Sequence, residues 1–172
     1  MNDQPKKEDS TKHRASRRKA RKRLFEICFE AEFQRPDDLN SFVHERCTNP
    51  IDTDPTDPEG NINAHFKGEN LAFLMKMTAL TLENSSVLDK VLTNYPWEWS
   101  YDRIGLPERV VLRIALAELI FTDTPIKIVI NEALDIAKAY GEAEANKFVN
   151  GILGSIVNDL EKIRKEVLPS SG

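Results

Sequence analysis

Cysteine is almost missing from this chain. Cys28 and Cys47 stand far apart, and no CxxC pair occurs in the 172 residues. That excludes a disulfide framework and a thiolate metal site, and leaves two reduced thiols as in a cytoplasmic protein. The three histidines, His13, His44 and His65, show no ligand spacing, so no metal is expected. Glycine is scarce at seven. No glycine-rich phosphate loop, no GxSxG and no paired carboxylate beside a histidine can be found, so no enzyme and no cofactor are expected. Long apolar runs are absent too. The best candidate, VVLRIALAELIF, is broken by Arg113 and Glu118, whereas a membrane span needs about 20 apolar residues. The basic amino terminus leads into no apolar segment, so it is not a secretory signal.

What is present is helical periodicity. From Pro107 to Gly154, apolar residues recur at Val111, Ile114, Ala115, Leu119, Ile128, Ala133, Leu134 and Ala137. This spacing marks amphipathic helices that bury one face. Pro107 and Pro125 suit first turns, Thr124 suits a cap, and Gly141 suits a left-handed closing residue. Helices are expected over 107–121, 126–140 and about 143–167, with Gly151 and Gly154 inside the last one, where close approach of another helix would offset their cost. Strand-like alternation is hard to find. The fold class expected is all-α, in one domain over residues 14–168, with a short carboxy-terminal tail at 169–172.

Charge is unevenly placed. Residues 1–23 carry ten Lys and Arg against three acids, a net +7, which leaves −11 for the remainder of a chain whose total is −4. Residues 1–13 are polar and aperiodic and are expected to be a disordered basic tail. From about Ser16 a helix is expected, with Ala20, Leu24, Ile27, Cys28 and Ala31 on one face and Pro36 at its end. Its first turns are cationic and its later turns apolar. A helix amino terminus disfavours stacked cations by a few tenths of a kcal/mol each, so folding gains nothing from this order. A polyanion would offset the cost, and arginine offers bidentate phosphate contacts and stacking. A solvated charge run and a membrane-surface helix are the other readings. The second is weakened because the basic and apolar blocks follow one another along the helix.

Between these ends, Asp37 or Asp38 can cap a short helix through Leu39, Phe42 and Val43. Residues 48–66 form an acidic loop insertion without the closing glutamate of a calcium loop. A helix over 69–83 directs Leu71, Leu74, Met75, Thr78 and Leu82 inward. Ser86 with Asp89 resembles a capping box opening the next helix. Tyr95, Trp97, Trp99 and Tyr101 then read as a hinge plug or as a stacking platform for bases. Glu108, Glu118 and Glu132 read as surface charges.

The run PERVVLRIALAEL, then TPIKIVINEALDIAKAYG, then KFVNGIL, behind RRKARKRLFEICFEAEF, resembles the NusB family of bacterial transcription antitermination factors over roughly residues 14–160. The resemblance implies about seven helices in two three-helix sub-bundles. It implies binding to the boxA element of nascent ribosomal RNA transcripts together with NusE, a small-subunit ribosomal protein. The pair would join other Nus factors on RNA polymerase, suppress premature termination and aid rRNA maturation. Carried over by position, Arg17, Arg18, Lys19 and Arg21 grip RNA phosphates, and Lys22 and Arg23 extend the basic run. Lys147 and Phe148 lie near bound RNA, Glu144 precedes them as the family's acidic residue, and Tyr95 or Trp97 supplies an aromatic. Glu108 would face the protein partner. The alternative class is a helical interaction module with only nonspecific RNA affinity. A helical domain fronting an RNA methyltransferase is disfavoured, because no Rossmann-like glycine motif and no catalytic Pro-Cys pair is present.

Overall fold

A computed structural model describes residues 6–48, 66–95 and 104–169, with side chains from Arg17 onward. Among the described residues there are eight helices and no strand: α1 Lys6–Gln34, α2 Leu39–Thr48, α3 Gly68–Glu83, α4 Ser85–Leu92, α5 Leu106–Phe121, α6 Ile126–Tyr140, α7 Ala145–Asn158 and α8 Leu160–Val167. Most of the 48–66 loop and the aromatics Trp97, Trp99 and Tyr101 lie outside the described residues.

The organising element is α5. Every residue from Val110 to Ile120 is buried, and a helix that is inward on all sides must be surrounded. Helices α1, α3, α4, α6, α7 and α8 all pack on it. On one side α3 lies between α1 and α2, and on the other α5, α6 and α7 pack together. The predicted apolar face of the first helix holds: Ala20, Leu24, Ile27, Cys28 and Ala31 are all buried. Both cysteines are free and buried. Burial pushes the Cys28 thiol well above its ordinary pKa, and Cys47 Sγ lies 3.9 Å from Thr78 Oγ1.

Several local expectations are corrected. Helix α1 starts at Lys6, so residues 6–13, expected to be disordered, are helical; the three lysines and Glu8 are good helix formers, and a helix nucleated further on extends through them. The capping box at Ser86 does not form. Asn84 precedes α4, and Asp89 instead accepts from the Arg113 guanidinium at 2.5 and 2.9 Å. At α2 the Asp38 cap is made, with its carboxylate accepting from Ser41 Oγ at 2.7 Å and Ser41 N at 3.2 Å. Those bonds hold Asp38 below the usual carboxylate range. Pro125 stands at the N-cap of α6, one residue ahead of its expected place, without a side-chain bond from Thr124. The last helix is two, divided at Asp159. The second half has a role invisible in the sequence: Leu160 and Ile163 are buried, and Arg164 donates twice to the Leu119 carbonyl, closing the end of α5.

Gly141 is extended, at φ −85° and ψ 173°, not left-handed. It is glycine for another reason. A Cβ there would sit 2.6 Å from the Ala137 carbonyl oxygen and 2.6 Å from Ala145 Cβ. Gly154 is the opposite case, since a Cβ there meets nothing within 4 Å, so no helix approaches it closely. Gly141→Ala should therefore cost about 1–3 kcal/mol through overpacking, whereas Gly154→Ala should add about 1 kcal/mol through helix propensity. Thermal unfolding of the two variants checks this, and shifts of the same sign would contradict the geometry.

Candidate nucleic-acid interface

The basic stretch of α1 divides by helical geometry. Arg17 and Arg21 are four residues apart and share a face, and that face is turned inward. Arg21 is buried and forms a short ion pair with Glu118 of α5. Its Nε has no partner among the described residues. Arg17 is half-buried. Its Nε donates to Asn70 Oδ1 at 2.9 Å, and its guanidinium carbon lies 4.3 Å from the centroid of the Phe73 ring. The Arg21 guanidinium stands over the same ring at 4.9 Å. Desolvation and the neighbouring Arg21 lower the pKa of Arg17.

Arg18, Lys19 and Lys22 occupy the outer face and are exposed. Arg18 is paired loosely with Glu132 and Asp135 of α6, at 3.5 and 3.2 Å, and its side chain remains 65% exposed. A pair that open to water contributes little and exchanges readily. Arg23 is engaged inside the fold, donating to the Arg46 carbonyl at 3.1 Å. The expectation that Arg21 grips phosphate is thereby corrected, since it is committed to Glu118; Arg23 also serves the fold, and Arg18, Lys19 and Lys22 stay exposed.

The second part of the site is the start of α7. Glu144 sits at φ 68°, left-handed for a residue with a side chain, a conformation that persists only where its surroundings impose it. Its carbonyl accepts from Lys147 N and Phe148 N, and its carboxylate pairs with Lys147 Nζ at 3.2 Å. Phe148 packs partly against the core. The turn before it is anchored from α5. Glu108 is buried, and its Oε1 accepts from Glu142 N at 3.0 Å. Glu108 was expected at the surface facing a partner, and Glu118 at the surface as well. Both are corrected, because each carboxylate is buried and accepts from a donor inside the fold, although Glu108 Oε2 has no partner among the described residues.

These parts are placed together only in pairs. Arg18 is level with Glu132 and Asp135, while Phe25 and Glu26 are level with Tyr140, through a ring contact of 4.5 Å and a hydrogen bond of 3.2 Å. The carboxy-terminal end of α6, which leads into the α7 turn, therefore lies about eight residues, or ~12 Å, further along α1 than Arg18. Tyr95 is elsewhere. Its hydroxyl donates to Asp159 Oδ2 at 2.8 Å, at the far end of α7, and burial together with that bond pushes its pKa up to about 12. Trp97 falls outside the described residues.

The NusB family model matches residues 18–158. The chain belongs to the NusB family. The transcription antitermination protein NusB of Bacillus subtilis is 31% identical over 152 residues, covering 88% of this chain and 98% of that protein. A solved NusB from T. maritima is 33% identical with a TM-score of 0.63, covering 89% of this chain and 93% of its own. A solved complex of antitermination factors NusB and NusE with double-stranded RNA shares the fold at TM-score 0.63 and 24% identity, covering 88% and 98%. The NusB family is non-enzymatic. No helix among the described residues is long and apolar enough to cross a membrane, and no group of side chains there could hold a metal ion.

The sequence reading missed Asn70, Phe73 and Phe33. Nothing local marks the first two. Phe33 had a signal, since Phe25, Phe29 and Phe33 recur every four residues; Phe25 stacks on Phe29 at 5.8 Å, Phe29 meets Phe33 edge-on at 5.3 Å, and Phe33 ends 69% exposed.

Glu118→Ala, which strands a buried guanidinium, should cost about 3–5 kcal/mol. The double change Arg21→Met with Glu118→Leu should recover most of that. Urea unfolding measures both, and a single-variant loss below about 1 kcal/mol would show that Arg21 reaches water when unpaired.

Proposed function

We propose that this chain is a transcription antitermination factor of the NusB type, binding boxA RNA of nascent ribosomal transcripts together with NusE in the cytoplasm. The pair would join other Nus factors on RNA polymerase and suppress premature termination. The observation that carries the reading is the sorting of the basic helix: a fixed inner pair, and three exposed cations that no buried acid neutralises. Folding does not need Arg18, Lys19 and Lys22, and a phosphate backbone does. Phe148 and Lys147 supply a ring and a cation where the strand would continue, and Glu144 sets their direction.

Affinity and selectivity separate on physical grounds. Phosphate contacts give salt-dependent binding without sequence information, and unstacked bases are read by rings and polar edges. The isolated chain should therefore bind weakly. NusE would extend the surface. The exposed end of the α1 aromatic run, Phe33 with Phe29, is the apolar face that suits a protein partner.

Fluorescence anisotropy of labelled boxA against a scrambled RNA, across a salt series and with or without NusE, tests this. Replacing Lys19 and Lys22 by glutamine should lower the salt slope by about 1.4 for a single strand and leave the preference for boxA intact. Phe33→Ala should abolish the enhancement by NusE and leave the weak binding of the chain alone unchanged. Binding that ignores both sequence and NusE would reduce the protein to a generic polyanion hook.

A further inference from the structure

Arg17 differs from its basic neighbours in kind. Its guanidinium is partly removed from water, yet the one hydrogen-bond acceptor it meets is the neutral amide of Asn70. Two acids act on it by charge, Glu69 and then Glu118, and Glu118 is already taken by Arg21. A desolvated cation bonded only to an amide gains when a further acceptor arrives. The side chain is also immobilised. Asn70 Oδ1 fixes Nε, and the Phe73 ring lies 4.3 Å beneath the guanidinium carbon. Asn70 itself is 9% exposed, so it cannot swing away. A fork fixed on one edge and stacked on one face loses little freedom on binding, and it presents its remaining edge in one orientation.

Phosphate contact does not need such an arrangement. A flexible backbone is followed well by the exposed Arg18, Lys19 and Lys22, which can move with it. A rigid planar fork suits a rigid planar acceptor pair, and among the bases the O6 and N7 of guanine form that pair. The aromatic ring beneath extends the stack on which such a base would lie.

We infer that Arg17, held by Asn70 and stacked on Phe73, is a specificity-determining residue that reads the O6/N7 edge of one unpaired guanine in the bound RNA, and is not a phosphate contact. This rests on the RNA-binding reading above and names which base edge that site selects. Asn70 and Phe73 are positioning residues in it. They act through Arg17.

The experiment uses the full chain with NusE and boxA-type RNAs in which each guanine in turn is replaced by 7-deazaguanine. That replacement removes the N7 acceptor and keeps the phosphate, the pairing edge and the ring. Arg17→Lys keeps the charge and removes the planar fork. It should cost about tenfold in affinity for the selected RNA, and leave scrambled-RNA affinity and the salt slope unchanged. One 7-deazaguanine position should weaken the wild type by a similar factor and leave Arg17→Lys unaffected. Phe73→Leu, which retains an apolar side chain, should lower the same selectivity ratio without changing the salt slope. Equal losses for every RNA with Arg17→Lys, or no 7-deazaguanine position that distinguishes the two proteins, would make Arg17 a phosphate contact and overturn the inference. A wild type with no preference for boxA at any salt would overturn the RNA reading itself, a different result seen before any variant is made.

Discussion

The structure depends on two of the three charges buried in its central helix. Arg113 and Glu118 lie in a segment of α5 that is otherwise apolar and inward on every side. Removing ions from water costs several kcal/mol each unless partners and hydrogen bonds offset it. Helix α1 supplies a partner to both. Glu32 pairs with Arg113, joined there by Asp89 of α4, and Arg21 pairs with Glu118. The two pairs have opposite polarity along α5. Reversing α1 would set Arg21 near Arg113 and Glu32 near Glu118, stranding like charges in a low-dielectric core. Apolar packing brings α1 to α5, and the charges determine which way it lies.

That constraint also decides which residues of the basic helix remain for a ligand. With Arg21 committed to Glu118, the inner face of α1 is closed against α3 and α5, and Arg17 is carried onto Phe73 and Asn70. The outer face follows by rotation about the helix axis. A chain of similar composition but with Glu118 replaced by an apolar residue would free Arg21 and blur the division between fixed and mobile cations. The positive charge of the arm is visible in composition. Its division into structural and available parts is a tertiary property.

The sequence was legible where periodicity carried the information. The face Ala20, Leu24, Ile27, Cys28 and Ala31, the helices α5 and α6, and an aspartate cap at Asp37 or Asp38 followed from spacing and residue type, although Ile128 of the expected buried face is exposed, and the family was legible in LRIA, INEA and KFVNG. It was illegible where burial is decided by a residue distant in the chain. Glu108 and Glu118 look like surface acids on amphipathic helices, and only Glu142 N and Arg21, 34 and 97 positions away, make them interior. Gly141 was read as a left-handed stop because that is the usual local reason for glycine at a helix end; the actual reason is contact with Ala145 and the carbonyl of Ala137. Asp89 offered a local cap and took a distant arginine instead, because a buried guanidinium gains more from a carboxylate than an exposed helix end does.

Glu108 and Glu118 together explain how a site in two pieces is kept in register. They are ten residues apart on α5, about 15 Å along its axis and roughly 80° apart around it. Glu118 fixes the basic turn of α1 through Arg21. Glu108 fixes the α6–α7 turn through Glu142 N, and with it the strained Glu144 and the Phe148 that follows. Each half of the candidate interface is thus tied to one end of the same rigid element. A ligand engaging both must span that fixed distance along the surface. A single nucleotide cannot, and an extended strand of a few nucleotides can. On the RNA-binding reading, the spacing of the two glutamates would set a minimum length on the strand that both parts hold.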